Sequence, residues 1–414
     1  MRVVLSTYGS RGDVEPLVGL AEVLRARGAE TRVCAPRDED FAGRLSDIGV
    51  PWVPVGPSAR DLTAAPSSPS SLPEVAAALI AEQFEVVGAA AEGCDVVVAT
   101  GMLPAAAGAL SVAELLGVRA VSATFQQLTL PSPYRSPLAY PGRPFPPGVT
   151  DPGELWELDA RSADALFGEA LNSARTRHGL PAVERVRDYG VGAVGGCPWL
   201  ATDPVLDPWR PTSWLDVVQT GAWTVPDERP LPAEVSAFLE AGRPPVYVGF
   251  GSMPLHRARD LAQVAVEAAH TVGRRLVLGR GWADLGLVDH GDDHLVVGEV
   301  NHQALFGRVA AVVHHGGAGT TRTAARAGVP QVVVPQATDQ PYWAGRVVEL
   351  GLGAAHDGPV PTADSLSAAL TRALEPGVAA RATSTAGALR TDGAEVAAGL
   401  LSEVVAGRLG DRRP

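Results

Sequence analysis

Short apolar runs alternate along this chain with longer stretches of helical period. Val3 to Ser6 reads as a strand, Thr7 to Pro16 as a loop, Leu17 to Arg27 as a helix and Thr31 to Ala35 as a second strand, which together make a βαβ unit. Further runs at Trp52 to Val55, Val96 to Ala99 and Ala120 to Ser122, with helical patterns between them, extend the unit into an open parallel sheet. After a helical stretch from Glu154 to His178 the periodic signal fades. Asp203 to Pro232, rich in Pro and Trp, reads as a connection. The alternation then resumes: Val246 to Phe250 is a strand, Asp260 to Val272 a helix, and Arg275 to Leu278, Leu295 to Val297, Ala310 to Val313 and Gln331 to Val334 are strands. The last segment, Glu395 to Leu409, places Val396, Leu400, Val404 and Val405 on one helical face.

Two segments break the rhythm of the first half. Pro57 to Pro73 and Pro131 to Pro152 are rich in Pro and Ser and are excluded from the core. They read either as plain insertions or as ligand walls, because long loops beside strand C-termini form such walls. The second carries Tyr134, Tyr140 and Phe145, and Phe125 precedes it, so aromatic faces there suit a large aromatic acceptor.

Length and composition agree with two repeated halves. At 414 residues the chain predicts two domains of about 200 residues each. The boundaries drawn are 1–205 for the first, 206–232 for the linker, 233–393 for the second and 394–414 for a tail helix. Charged residues make up 19% and hydrophobic ones 46%, which is globular, and the net charge of −12 argues against a nucleic-acid surface. Cys34, Cys94 and Cys197 are odd in number and widely spaced, suggesting neither a disulfide framework nor a metal cluster. Asp38-Glu39-Asp40 and Asp292-Asp293 sit in polar loop contexts and read as solvated. The N-terminus is too short in apolar residues for a signal peptide, and no run approaches bilayer length. A cytoplasmic protein with no membrane insertion is expected.

The segment His314-His315-Gly316-Gly317-Ala318-Gly319-Thr320-Thr321 joins the strand Ala310 to Val313 to a helix read over Thr320 to Ala327. Glycines let a ligand approach the backbone, and the first helical N–H groups and the positive end of the helix dipole face it. A diphosphate fits there, although many α/β proteins carry such a turn with no phosphate. The adjacent histidines, the Thr-Thr pair, and the strand Gln331 to Val334 followed by Pro335 and Asp339-Gln340 form a longer constellation. Together these residues resemble the donor-nucleotide signature of family 1 glycosyltransferases of the GT-B fold. The fold this implies is α/β: two Rossmann-like doubly wound domains facing a deep cleft, with the C-terminal helix crossing back to pack on the first domain.

The opening Gly9-Ser10-Arg11-Gly12-Asp13-Val14-Glu15-Pro16 follows the first strand, where open α/β sheets bind ligands. Asp13 has three readings: a helix cap, a ribose ligand, or a base. Beside a sugar-nucleotide site in the other domain, a general base taking the acceptor's proton is the preferred one. The backbone N–H groups of Gly319, Thr320 and Thr321, the turn glycine Gly317, the side chain of His315, and Ser252 in Phe250-Gly251-Ser252 would stabilise the leaving diphosphate, with Ser10 and Arg11 approaching from the first domain. No metal or other cofactor is then expected, and the nucleoside diphosphate sugar is a co-substrate. By the resemblance, Asp339 and Gln340 hold donor-sugar hydroxyls. Arg280-Gly281-Trp282 and Val300-Asn301-His302-Gln303 flank the nucleobase and ribose, with Arg280, Trp282, Val300 and Gln303 the named contacts. Phe125, Tyr134 and Tyr140 are the candidate acceptor contacts.

Within the family, the resemblance runs to the actinobacterial glycosyltransferases that decorate vancomycin- and teicoplanin-type glycopeptides. It rests on Gly9 to Pro16, Gln219-Thr220-Gly221-Ala222-Trp223, Val246 to Ser252 and Arg280-Gly281-Trp282-Ala283-Asp284-Leu285. It implies transfer, with inversion, onto a large aromatic peptide aglycone; sterol glucosyltransferases share the Gly-Ser-Arg-Gly-Asp opening, so sterol or polyketide acceptors stay open. Plant and macrolide members carry a histidine in the first loop, and this loop has none. An ordinary carboxylate, with a pKa near ~4, is a weak base for an alcohol, so positioning and leaving-group stabilisation would supply most of the rate. Asp339-Gln340-Pro341-Tyr342 favours a donor with free ring hydroxyls, UDP-glucose or UDP-N-acetylglucosamine, over a TDP-linked amino-deoxysugar. A non-catalytic auxiliary protein and a UDP-N-acetylglucosamine epimerase of the same architecture are the readings from other classes.

Overall fold

The computed structural model describes residues 1–64, 71–193, 196–253, 258–282, 285 and 293–408. Part of the first Pro-rich segment (65–70), Ala283, Asp284, Asp292 and Leu409 lie outside the described residues. The chain divides into two compact units, Met1–Val225 with Arg390–Pro414, and Pro226–Leu389. Among the described residues no helix is long and apolar enough to cross a membrane.

The first unit is built on a parallel sheet of β1 (Arg2–Tyr8), β2 (Glu30–Ala35), β3 (Trp52–Pro54), β4 (Val96–Gly101), β5 (Arg119–Thr124), β6 (Trp199–Leu200) and β7 (Val218–Gln219), in the order β3-β2-β1-β4-β5-β6-β7. Val3, Val4 and Leu5 are all buried, since helices cover both faces of a parallel sheet. Strand order reverses between β1 and β4, which makes the segments after these strands the natural ligand edge.

Several details differ from the sequence reading. The helix expected from Leu17 begins at Arg11 and carries Pro16 inside it. A capping box starts it: the Ser10 side chain accepts the Gly12 N–H, and Asp13 accepts the Ser10 N–H at 2.9 Å. The apolar face from Val14 to Leu24 then offsets the one ladder bond that Pro16 removes. The segment Pro57 to Pro73 is partly helical, with helices Ala59–Ala64 and Leu72–Glu82. Asp38, expected to be solvated, is buried and accepts the Ser58 hydroxyl and the Ala59 N–H at 2.8 Å each and the Arg60 N–H at 3.1 Å.

Residues 206–225, read as part of the connection, belong to the first unit. They supply β7 and the turn Thr220–Trp223, whose indole Nε1 donates to the Thr220 hydroxyl at 2.9 Å and whose carbonyl sits 2.7 Å from where a Cβ on Gly19 would be. The tail helix, Gly393–Val405, also belongs to this unit, but on a different face from the one expected. Ala394, Ala397, Ala398 and Leu401 are buried, whereas Val396, Leu400, Val404 and Val405 are only partly covered. Close approach explains it. A Cβ on Gly393 would lie 2.4 Å from the Ala222 carbonyl oxygen, so small residues rather than large ones face inward.

The second unit holds β8 (Val246–Gly249), β9 (Leu276–Gly279), β10 (His294–Val297), β11 (Ala311–His314), β12 (Gln331–Val333) and β13 (Gly353–Ala355), all parallel, in the order β10-β9-β8-β11-β12-β13. The order reverses between β8 and β11, placing the turns after those two strands at this sheet's ligand edge. β13 has no apolar run to announce it. Gly353 is required there because a Cβ would meet the Gln331 carbonyl oxygen at 1.8 Å.

Candidate active site

The turn after β11 is the densest cluster of predicted residues. Gly316, with φ of +94°, turns the chain in a conformation that disfavours a side chain, and Gly317 is the N-cap of helix Ala318–Arg326 with no side-chain cap. The N–H groups of Ala318, Gly319 and Thr320 therefore lack helical acceptors and open onto the turn. Thr321 differs from expectation. Its N–H and its hydroxyl both bond the Gly317 carbonyl at 2.9 Å and the residue is buried, because it lies one position beyond the orphan donors. Ala318 takes its place in the donor set.

His315 occupies a slot walled by two glycines. A Cβ on Gly317 would lie 2.6 Å from its Nε2, and a Cβ on Gly251 would lie 3.2 Å from its Cε1. Burial pushes its pKa down to about 4, so the ring is neutral near pH 7 and offers a hydrogen bond rather than a charge. Among the described residues its buried Nδ1 has no hydrogen-bond partner, which is costly unless a ligand or water supplies one. Ser252 is half-buried in the adjoining turn, closed by the Met253 N–H on the Phe250 carbonyl at 3.1 Å. The structure thus brings Ser252, in the turn of Gly251, beside His315, Gly317, Gly319 and Thr320.

His314 points the other way. It is fully buried; its Nδ1 accepts the Gly316 N–H at 3.1 Å and its Nε2 lies 2.9 Å from Gln331 Oε1. Burial above all, then the neighbouring His315, lowers its pKa to about 3. Sequence reading paired the histidines without separating them. The available signal was Gln331, a polar residue heading an otherwise apolar buried strand.

Arg280 and Trp282 join this edge through the backbone: the Arg280 N–H donates to Val297 O at 3.0 Å and the Trp282 N–H to Gly251 O at 2.8 Å. Gly281, at φ +57°, permits the contact, since a Cβ there would meet Gly251 O at 2.4 Å. Val300 packs against the cluster containing Leu305 and Phe306, and Gln303 accepts the Asp227 N–H at 3.2 Å. Gln303 therefore anchors the start of this unit, a duty set by a residue 76 positions away that local pattern could not show.

Asp339 and Gln340 also carry structural duties. Asp339 accepts the Trp343 indole N–H at 2.9 Å and the Thr338 hydroxyl at 3.0 Å while remaining partly exposed. Gln340, expected on the donor sugar, is buried: its Oε1 accepts the Gln336 and Ala337 N–H groups at 2.7 and 3.1 Å, and its Nε2 donates to Met253 Sδ at 3.2 Å. The correction follows from the turn it closes, in which Thr338 is held at φ +53°.

In the first unit, Asp13 is partly exposed and takes up the capping reading. Gly9 makes room for it, since a Cβ there would lie 2.1 Å from Asp13 Oδ2. Ser10 is the N-cap, and Arg11 Nη2 lies 3.6 Å from Asp40 Oδ2. Phe125 meets Trp223 edge to face at 5.7 Å, and Tyr134, 43% exposed, lies under the Arg210 guanidinium at 3.6 Å. Tyr140 is not an open aromatic face. It packs edge-on to Phe167 at 5.6 Å against the core, and desolvation raises its pKa.

The sequence matches two family models: the glycosyltransferase family 28 N-terminal domain over residues 3–130, and the erythromycin biosynthesis protein CIII-like C-terminal domain over residues 287–405. The chain is 54% identical to a vancomycin aglycone glucosyltransferase of Amycolatopsis orientalis, covering 98% of each chain. It is 51% identical to a dTDP-epi-vancosaminyltransferase of the same organism, covering 92% of each. Among solved structures it superposes on the glycotransferase of kitacinnamycin with a TM-score of 0.73 at 22% identity, covering 97% of this chain and 98% of that one.

Proposed function

The chain belongs to the family 1 glycosyltransferases of the GT-B fold and is a glycosyltransferase, and from that premise we propose that it moves a sugar from a nucleoside diphosphate to a hydroxyl of a glycopeptide antibiotic aglycone, with inversion and without a metal. The observation that carries the donor half is the uncapped start of helix Ala318–Arg326 beside the orphaned His315 Nδ1. The acceptor half is supported by the likeness to the 54% identical vancomycin aglycone glucosyltransferase.

The acceptor oxygen attacks the anomeric carbon from the face opposite the leaving group. The C–O bond to the diphosphate breaks, its electron pair leaves with the diphosphate, and the hydroxyl proton passes to a carboxylate, for which Asp13 is the candidate. Charge growing on the leaving oxygens is met by the N–H groups of Ala318, Gly319 and Thr320, by the neutral His315 ring and by Ser252. These dipoles supply what a cation otherwise would, so activity in the presence of a chelator is expected. Phe125 and Tyr134 are the aromatic contacts proposed for the acceptor.

UDP-glucose or UDP-N-acetylglucosamine is the favoured donor. A TDP-deoxysugar is the second reading, supported by the internal bonding of Gln340, which removes one of two partners for ring hydroxyls, and by the 51% identical relative. The test incubates the protein with a vancomycin-type aglycone and each donor in turn, with chelator, and reads product mass and anomeric configuration. A single-sugar gain of inverted configuration supports the proposal. Products only from sterol or polyketide acceptors, or with retained configuration, defeat it.

A further inference from the structure

We propose that His314 is a positioning residue: it holds the Gly316 N–H so that the N–H groups of Ala318, Gly319 and Thr320 face the donor diphosphate, while never touching the ligand itself. This rests on the reading of that turn as the diphosphate site.

The hydrogen bonds close on only one protonation pattern. Because His314 Nδ1 accepts the Gly316 N–H, it carries no proton; the ring's single proton is then on Nε2 and is donated to Gln331 Oε1, 2.9 Å away. The orientation of the Gln331 amide follows, since its NH2 turned toward Nε2 would demand the opposite tautomer. A chain therefore runs from the first residue of β12 through the last residue of β11 to the glycine that opens the turn. Gly316 is buried, and at φ +94° its conformation is one of several open to glycine. Its N–H bond to His314 selects among them. The next residue, Gly317, is the helix N-cap, so a rotation at Gly316 re-aims every free donor beyond it. His314 also meets the His315 ring edge to face at 6.5 Å, which ties the orphaned Nδ1 donor or acceptor to the same support.

A merely structural histidine would lower stability when removed and leave ligand selectivity alone. The full chain is therefore compared as wild type, His314→Leu, which deletes the acceptor, and His314→Asn, whose amide oxygen can restore one near Nδ1. Calorimetry with UDP and uridine, and with TDP and thymidine, separates phosphate recognition from base recognition. Expected are a loss of about tenfold or more in diphosphate affinity for His314→Leu with nucleoside affinity unchanged, recovery of most of it in His314→Asn, and a wild-type 15N spectrum with the His314 proton on Nε2. Equal losses for UDP and uridine, a His314→Leu protein that binds UDP as wild type does, or a proton on Nδ1 overturns the proposal. Should His314→Leu not fold, Gln331→Met keeps the histidine but removes the partner that holds its ring against the Gly316 N–H; a several-fold loss of UDP affinity with uridine affinity unchanged supports the proposal, and unchanged UDP affinity overturns it. If wild type binds UDP and TDP no better than the nucleosides, the diphosphate reading itself fails, before any variant is compared.

Discussion

Two neighbouring glycines in the turn after β11 should fail in different ways when each becomes alanine. At Gly316 the backbone stands at φ +94°, and a Cβ would meet Val333 Cγ1 at 2.7 Å and the Gln340 carbonyl oxygen at 3.1 Å. Backbone strain of about 1–3 kcal/mol and overpacking of about 1–3 kcal/mol both fall on folding. At about 2–4 °C per kcal/mol for a domain of this size, Gly316→Ala should lower the thermal midpoint of the second unit by on the order of 10 °C.

Gly317 stands at φ −63°, ψ 141°, which alanine adopts freely, and removing glycine's unfolded-state freedom even favours folding by about 0.4–1 kcal/mol. Its Cβ, however, would lie 2.6 Å from His315 Nε2, so the ring must leave its slot. A hydrogen bond to a charged phosphate contributes about 1.5–3 kcal/mol, so Gly317→Ala should weaken nucleoside diphosphate binding about 10- to 100-fold while unfolding at or above the wild-type temperature. Scanning calorimetry with and without UDP, paired with titration calorimetry, reads both effects. Undiminished UDP binding by Gly317→Ala, or a loss of stability matching that of Gly316→Ala, would refute the reasoning that His315 serves the ligand.

Asp13→Asn should lower kcat by about 10²- to 10⁴-fold with donor affinity unchanged, because the amide oxygen still accepts the Ser10 N–H and the helix start survives; steady-state kinetics and UDP titration check this together. Asp159 is buried beside Arg187, and desolvation raises its pKa from 3.8 to about 6. A raised acid pKa stabilises the fold below pH 3.8 and withdraws that contribution as pH rises through 6, so the stability of Asp159→Asn relative to wild type should climb by up to about 3 kcal/mol between pH 4 and 7, and a flat difference in urea melts would contradict it. Gly393→Ala should destabilise the first unit by about 1–3 kcal/mol in the same assay, since its Cβ would press on the Ala222 carbonyl, which belongs to rigid backbone.

What the sequence shows well is whatever rests on consecutive residues. Val3-Val4-Leu5 and Val96-Val97-Val98 are unbroken apolar runs and became central parallel strands, and the glycines of 316–319 marked a strand-to-helix turn whose donors are set by neighbours in the chain. Even there, competing local rules misled: Pro16 argued for a late helix start, whereas the Ser10–Asp13 box begins the helix five residues earlier than Pro16. Small residues were undervalued for a related reason, because the tail helix docks through Ala394, Ala397 and Ala398, which no measure of hydrophobicity ranks above Val396 and Leu400.

Three residues expected at the site have partners remote in sequence. Gln340 is committed through Met253, 87 positions away, and Gln303 through Asp227, 76 away; Tyr140 is committed to Phe167 in a helix that begins only after its own loop. A polar side chain in a motif is free for a ligand only if the fold has not already claimed it, and distant hydrogen-bond claims leave no periodic trace. His315 is the converse case. Among the described residues nothing claims its buried Nδ1, at a position where an apolar residue would have spared the fold an unsatisfied polar atom. That cost, borne beside an uncapped helix start and a glycine slot shaped to the ring, is the physical ground on which the diphosphate is proposed for this turn.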